Sequence, residues 1–390
     1  MKSGPRSDAR APRNGVPLEQ LRPLWSAGLV LTLVLLPLCL WREDMIFELN
    51  FLTGMLIWGL LALSLDLVWG YGGMISLGQG VFFGAGGYAM AWFLTGGITH
   101  RVGRAPDPEL LAPLFGLGVG IALAVVLALG IAFLCFRSRV GGLFFAIVTL
   151  ALAVTAKLLV ITWRPVTGGD NGIINIPRLF RVDPEPELSQ YFIVLAAVLA
   201  AYWICRRLVA SHFGRVLTAI RENELRASSI GFNVNLAKTL IFGVAAAIAA
   251  LAGALFAPYN GNVNPIHIGF ETGAIVLIWV AIGGRGFLLG AFIGTFLVQY
   301  VRFYMTDIIA PFMSVTTANS VWPLIFGFVF LGVILLYPDG MMGLVHRIGA
   351  WRVPLPESLR RALARANGAD ALPRPRAVEG ARTPPSGSAP

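Results

Sequence analysis

Long apolar runs, separated by short polar connections, dominate this chain. Leu24–Trp41, Ile46–Trp69, Leu111–Phe136, Gly141–Trp163, Gln190–Cys205, Leu236–Ala257 and Val321–Leu344 are apolar through nearly every position. Periodicity of this kind, oily all round, suits helices buried in a bilayer. About 20 such residues cross the hydrocarbon, and a helix satisfies its own backbone there. Met74–Leu94 reads as a further span. Gly273–Ile282 is short, and Phe287–Met305 follows it closely. The pattern predicts an all-α polytopic membrane protein, a bundle of about ten transmembrane helices.

Composition agrees. Hydrophobic residues make up 56% of the chain and charged residues only 13%, against about 25% charged in a soluble domain. The length is spent on spans. After Trp25 the apolar run is long and shows no clear small-residue cleavage site, so it reads as a retained first span.

The net charge of +10 matters through its placement. Arg6, Arg10, Arg13 and Arg22 crowd residues 1–23. Arg347, Arg352, Arg360, Arg361 and further arginines crowd residues 346–390, a segment rich in Arg, Pro and Ala that reads as a disordered tail. Arg137 and Arg139 mark one connection, and Arg206, Arg207, Arg215, Arg221 and Arg226 another. Arg164–Ser189 and the connection before Leu111 are mixed in sign, and Pro258–Phe270 has no formal charge. With both termini in the cytoplasm, the basic connections fall inside and the others outside, as short Lys/Arg-rich loops require. The membrane domain then spans residues 24–345. No aromatic-basic module accompanies these charges, so nucleic acid is not an expected partner.

Glycine breaks the apolar pattern at two places. In GYGGMISLGQGVFFGAGGYAM, Gly70–Met90, a helix would align Ser76, Gly80, Gly84 and Gly87 as a flat stripe for close helix approach. Gly70, Gly72 and Gly73 precede the stripe and predict a broken or re-entrant start. Non-helical backbone at membrane depth must be covered by protein or line a cavity. AIGGRGFLLGAFIGTF, Ala281–Phe296, echoes the first segment, and interrupted apolar segments in two halves point to a transport site. Ser76, Gly78, Gln79, Gly80 and Asp66 are therefore the candidate solute path. Lys157 lies inside an apolar run, about six residues from its end, where snorkelling competes with function. Glu271 marks the mouth of a span.

Ser211–Phe242 is the most distinctive polar segment. Phe213, Leu217 and Ile220 fall on one helical face, and Glu222 and Arg226 are spaced as an i, i+4 pair. Gly231 is placed to end the helix and Asn235 to cap the next one. An amphipathic helix on the basic side lies on lipid or docks a partner. Ala227 and Gly231 keep the spacing of the Glu-Ala-Ala…Gly motif found in the cytoplasmic coupling loop of ABC-importer permeases. The motif's Glu and first Ala positions hold Leu225 and Arg226, with Glu224 shifted by one.

LSLDLVWGYGGMISLGQGVFFGAGGYAM, FRSRVGGLFFAIVTLAL, TGGDNGI and IWVAIGGRGFLLGA occur in that order within Leu61–Leu344. Together they resemble the branched-chain amino-acid permease family of ABC importers, and most closely its urea-transporter branch. The resemblance implies a non-catalytic permease subunit. Its partners would be a second homologous permease, two cytoplasmic ATPases, a periplasmic solute-binding protein and membrane lipid, in a bacterial inner membrane. ATP would be bound by the ATPases. Consistently, the only lysines are Lys2, Lys157 and Lys238, and none completes a GxxxxGK[ST] phosphate loop. The coupling loop, about residues 211–234, would offer Arg215, Leu217, Ile220, Glu222, Glu224, Leu225, Ala227 and Gly231 to an ATPase.

Urea needs paired donors and acceptors but no countercharge. Asn260, Asn262 and Asn264 on the neutral outer loop, and Asp170 and Asn171 on the mixed one, suit turns or docking of a binding protein. A branched-chain amino acid is the alternative solute, and its zwitterion would favour charged or helix-terminus contacts. No charged pair in the path stands out from the sequence. An ion-coupled secondary transporter would rest on Asp66, and a passive channel would need neither gradient nor ATP. The 4 histidines and 3 cysteines have no metal or triad spacing, so an enzyme is not expected.

Overall fold

A helix that is apolar on all sides must be covered by lipid or by other helices, and this chain uses both. The computed structural model describes residues 46–96, 111–138, 141–179 and 186–309, with Gly327 and Gly332. The expected spans Leu24–Trp41 and Val321–Leu344 (those two glycines apart) and both basic tails, residues 1–23 and 346–390, lie outside the described residues.

Helix α1 runs Ile46–Asp66 and widens into a π-turn at Leu67–Tyr71. The chain then loses helical form until α2, Gln79–Leu94. Next come α3, Leu111–Arg137, and α4, Leu143–Thr162. A single turn, α5 at Arg164–Thr167, and a 3-10 turn at Gly169–Asn171 lead to strand β1, Ile173–Ile174. Helix α6, Pro186–Ala210, precedes two short helices, α7 at His212–Glu222 and α8 at Glu224–Ser229. Helix α9, Val234–Asn260, leads to β2, Asn262–Val263, and to the one-turn α10, Pro265–Ile268. Helices α11, Phe270–Gly283, and α12, Leu288–Ile309, follow.

Among the described residues five helices are long and apolar enough to cross a membrane, and α11 with α12, bent by 111°, can supply a sixth crossing. The described residues thus account for five or six of the expected bundle of about ten helices, and two of the expected spans lie outside them. Helix α2 has 16 residues and α11 has 14. At 1.5 Å per residue they reach about 24 and 21 Å, short of a bilayer's roughly 30 Å. Residues 72–78 are what shortens the expected span Met74–Leu94.

Helices α2, α3 and α9 pack against one another, with α1 against α9. Small residues make this possible. A methyl built on Gly253 would lie 1.8 Å from the Phe83 carbonyl oxygen, and one on Gly86 would lie 2.0 Å from that of Ala250. Leu56, Leu60, Phe82, Phe145, Phe242 and Val276 are buried in the core around this contact. Helices α3 and α4 instead expose Phe115, Val126, Leu134, Phe144 and Leu158, apolar surface that suits lipid or another membrane subunit.

The stripe read from the sequence forms from Gly80 onward. Ser76 lies before the helix begins, in the irregular segment. Gly84 packs on Ile268 and Gly87 faces Gly253 and Val263.

Candidate functional site

Two breaks in helical backbone define the site. At the first, residues 72–78 hold no helix, yet Ser76 and Gln79 are fully buried. Protein covers Gly72, Met74, Ser76 and Gly78, while Gly73 is exposed and Ile75 and Leu77 are half-buried, and such a break must be covered or line a cavity. The Thr149 hydroxyl on α4 accepts the Leu77 N–H at 3.1 Å, and Ser76 Oγ accepts the Gly78 N–H at 3.4 Å. The start of α11 closes on the same segment. A methyl on Gly80 would lie 2.5 Å from the Gly269 carbonyl oxygen, and one on Gly273 would lie 2.2 Å from that of Leu77. Ser76, Gly78, Gln79 and Gly80 are thus brought together, between α4 and the start of α11.

Neither α2 nor α11 has a side-chain cap at its start. Helix N-termini of this kind favour negative charge. Gln79 is fully buried, and neither its amide nitrogen nor its amide oxygen has a partner. A buried amide left unbonded costs about 1–3 kcal/mol.

A charged pair flanks this clasp. Lys157 Nζ on α4 bonds Glu271 Oε1 at the start of α11. Glu271 Oε2 is buried without a partner, and Gly269 lies against both side chains. Lys157 therefore does not snorkel free of its neighbours, and Glu271 does more than mark a span mouth. The sequence did not single out this pair, which the structure sets beside the Gly-rich segment. The two residues are far apart in the chain, and only the fold joins them.

The second break is the turn between α11 and α12, and it meets the first. The Asp66 carboxylate accepts the Gly286 N–H, and Arg221 on α7 donates to the Gly70 carbonyl. Asp66 thus ties the two glycine segments together and stands apart from Ser76 and Gln79 in its bonding. Arg221, read from the sequence only as loop charge, was the missed residue here. Its position on the polar side of an amphipathic helix was the available signal.

The coupling segment divides into two faces. Leu217, Ile220 and Ala227 are buried, and Phe213 packs against the core. Arg215, Glu222, Glu224, Leu225 and Gly231 are exposed, Leu225 by 81%. Glu222 and Arg226 do not share a helix, because Asn223 is extended between α7 and α8 and caps α8. Glu224 instead pairs with the buried Lys238 at 2.6 Å. Asn233, not Asn235, caps α9 by accepting the Leu236 N–H. Gly231 follows α8 with φ of 100°, as its ending role requires.

The connections after α4 and after α9 meet as a small antiparallel ladder, Ile173 opposite Val263 and Ile174 opposite Asn262. Asp170 and Asn171 are exposed beside it. Asn260 donates to the Asn262 carbonyl oxygen at 3.1 Å and to its side chain at 2.7 Å. Asn264 Oδ1 accepts the Ile266 N–H, and His267 Nδ1 accepts the Asn264 N–H at 3.3 Å. These asparagines serve turns and a helix cap. Burial pushes the His267 imidazole down to about 4.

The model of the family described as "Branched-chain amino acid transport system / permease component" matches residues 48–336. The high-affinity branched-chain amino acid transport system permease protein LivM of Salmonella typhimurium is 30% identical over 280 residues, 65% of this chain and 63% of that protein. The probable branched-chain amino acid transport permease protein LivM of Methanocaldococcus jannaschii is 26% identical over 307 residues, 71% of this chain and 86% of that one. The high-affinity permease protein LivH of Escherichia coli K12 is 24% identical over 297 residues, 73% and 91% of the two chains. The chain spans under two thirds of the Salmonella relative's length. No solved structure matches significantly.

Proposed function

Because this chain belongs to the family of permease components of branched-chain amino acid transport systems, we propose that it is a non-enzymatic membrane subunit of an ATP-driven importer. Its solute is a branched-chain amino acid. A solute-binding protein delivers the solute to the outer ladder, a second homologous permease completes the path, and two ATPases dock on the α7–α8 side. The location is the bacterial inner membrane, with both termini cytoplasmic by the positive-inside rule. The relatives' names describe permeases, which agrees with a role without catalysis.

The observation that supports the solute best is the Lys157–Glu271 pair beside two uncapped helix starts. A zwitterion can exchange contacts with such a pair, whereas a neutral solute has no use for countercharge. Urea is the second reading, supported by the segments FFGAGGYAM and VAIGGRG and by the unbonded Gln79 amide. Planar amide chemistry offers urea a donor and an acceptor together.

Uptake of labelled leucine and labelled urea, by cells with and without this chain, separates the two. Loss of leucine uptake alone supports the amino-acid solute. Loss of urea uptake alone replaces it. If neither changes, the importer reading fails, and a gradient-driven carrier built on Asp66 becomes the account to test.

A further inference from the structure

A cavity of about 630 Å³ opens where the coupling segment meets the start of α9. Phe136 lines it from the end of α3, Glu224 and Ser228 from α8, and Asn235 and Lys238 from α9. Its volume falls within the range of small-molecule sites, about 300–1,000 Å³.

The charges in this lining are one cation and one anion. Lys238 is buried, with its ammonium 5.7 Å from the centre of the Phe136 ring and 2.6 Å from Glu224 Oε2. The Glu224 side chain is 54% exposed. An ammonium carries three donors, and the bond to Glu224 uses one. The cavity thus presents a buried cation with donors to spare and, beside it, an anion open to solvent.

The surroundings are apolar and face outward. Phe133 and Leu134, within one turn of Phe136 on α3, are exposed, and so are Leu236 and Leu240, on either side of Lys238 on α9. Both helices are long and apolar enough to cross a membrane, and the cavity lies at the end of one and the start of the other. Exposed Arg137 closes α3 with its guanidinium 5.8 Å from the Phe133 ring, a pairing that suits the bilayer surface. A polar cavity at that level, with oily side chains leading away from it along two spans, matches a lipid better than a soluble ligand. Basic pockets between membrane helices take phospholipid headgroups.

We propose that this cavity holds the headgroup of a phospholipid that carries a phosphate and a primary amine together. The phosphate accepts from Lys238 and the amine donates to Glu224, both charge-assisted bonds. The acyl chains lie along Phe133, Leu134, Leu236 and Leu240. A headgroup with net negative charge meets Glu224 with no amine to offset it, and a quaternary ammonium has no N–H to donate. A headgroup bonded at both ends braces α8, and with it the coupling segment, against α9. The site lies apart from both glycine breaks and does not depend on which solute is carried.

The test incubates the full chain, purified in detergent, with equal amounts of phosphatidylethanolamine, phosphatidylglycerol and phosphatidylcholine. Native mass spectrometry then counts the lipids retained. Phosphatidylethanolamine should be retained about tenfold over either competitor, the difference one charge-assisted contact makes. Lys238→Met removes the ammonium and leaves Glu224 to solvent. Ser228→Phe fills the cavity from an exposed position, so it tests the site even where Lys238→Met fails to fold. Each should abolish the preference, and an unchanged unfolding temperature for Ser228→Phe shows that the fold is kept. Equal retention of the three lipids, phosphatidylglycerol retained above the others, or a preference that survives Ser228→Phe overturns the proposal. Free phosphoethanolamine lacks the chains and should compete only at about a hundredfold higher concentration or more; competition at equal concentration assigns the cavity to a soluble phosphate ester instead. The assembled transporter should keep the same preference, and its loss there assigns the cavity to the ATPase and likewise overturns the lipid.

Discussion

The Asp66 carboxylate accepts the Gly286 N–H at 2.6 Å, joining the end of α1 to the turn between α11 and α12. A methyl on Gly70 would lie 2.4 Å from the Gly286 nitrogen, so the two glycine segments touch through their backbones. Arg221 holds the Gly70 carbonyl from α7. The segment expected to meet the ATPases therefore grips the meeting point of both breaks. Arg221→Ala should leave assembly intact while lowering solute imported per ATP hydrolysed several-fold. Parallel measurement of uptake and hydrolysis checks this, and an unchanged ratio would show that Arg221 only fastens the loop.

Helix contact through glycine predicts a sharp contrast. Gly253→Ala places a methyl where the Phe83 carbonyl already stands. It should cost about 1–3 kcal/mol by overpacking and reduce the amount of folded protein extracted from membranes. Gly118→Ala and Gly130→Ala meet nothing within 4 Å, and should be neutral or slightly stabilising in a helix. Thermal unfolding in detergent of the three variants compares them directly.

The exposed apolar pair on the coupling segment gives a cleaner test than its buried face. Leu225 is 81% exposed and Ile230 70%. Leu225→Asp with Ile230→Asp should release the ATPases on co-purification while insertion stays normal. Ile220→Asp, which buries a charge at a site only 3% exposed, should instead lower the amount of permease itself. Retained ATPases and normal transport in the exposed pair would identify a lipid-lying helix.

His267 predicts the direction of a pH effect. Its folded pKa of about 4 lies below the ordinary 6.5 because burial disfavours the charged ring. Between these values the unfolded chain binds more protons than the folded one. Stability is then complete above about pH 6.5 and falls as pH drops towards 4, by up to about 3 kcal/mol. Unfolding midpoints at pH 7.5, 6 and 5 should decline for the wild type, and His267→Gln should flatten the decline.

Much of the architecture was legible because apolar runs and glycine obey local rules. The ends of α3, α4 and α9 fall within a few residues of the runs that predicted them. Gly70, Gly72 and Gly73 announced the interruption before Gln79. Leu217 and Ile220 face inward as their helical spacing required. Pairings across the chain were not legible. Lys157 with Glu271, Glu224 with Lys238, and Arg221 with Gly70 join residues on different elements, and no local periodicity encodes them. Asn223 was missed as a helix break because Glu222 and Arg226 looked well spaced when the extended residue between them was ignored. The cavity over Lys238 was hidden for the same reason, since Phe136, Glu224 and Lys238 come to it from α3, α8 and α9.

The ladder between Ile173 and Val263 sets an order of events during synthesis. β1 leaves the ribosome long before β2, and α6, the coupling segment and α9 must all be inserted between them. The turn Gly168–Gly172 therefore keeps its strand edge open until α9 is in place, because sequence-distant strands pair only after the chain between them is placed. A chain cut short before Asn262 has no partner for that edge. Purified in detergent, it should lose the turn to protease faster than the full chain, making this two-residue strand pair a marker of completed assembly.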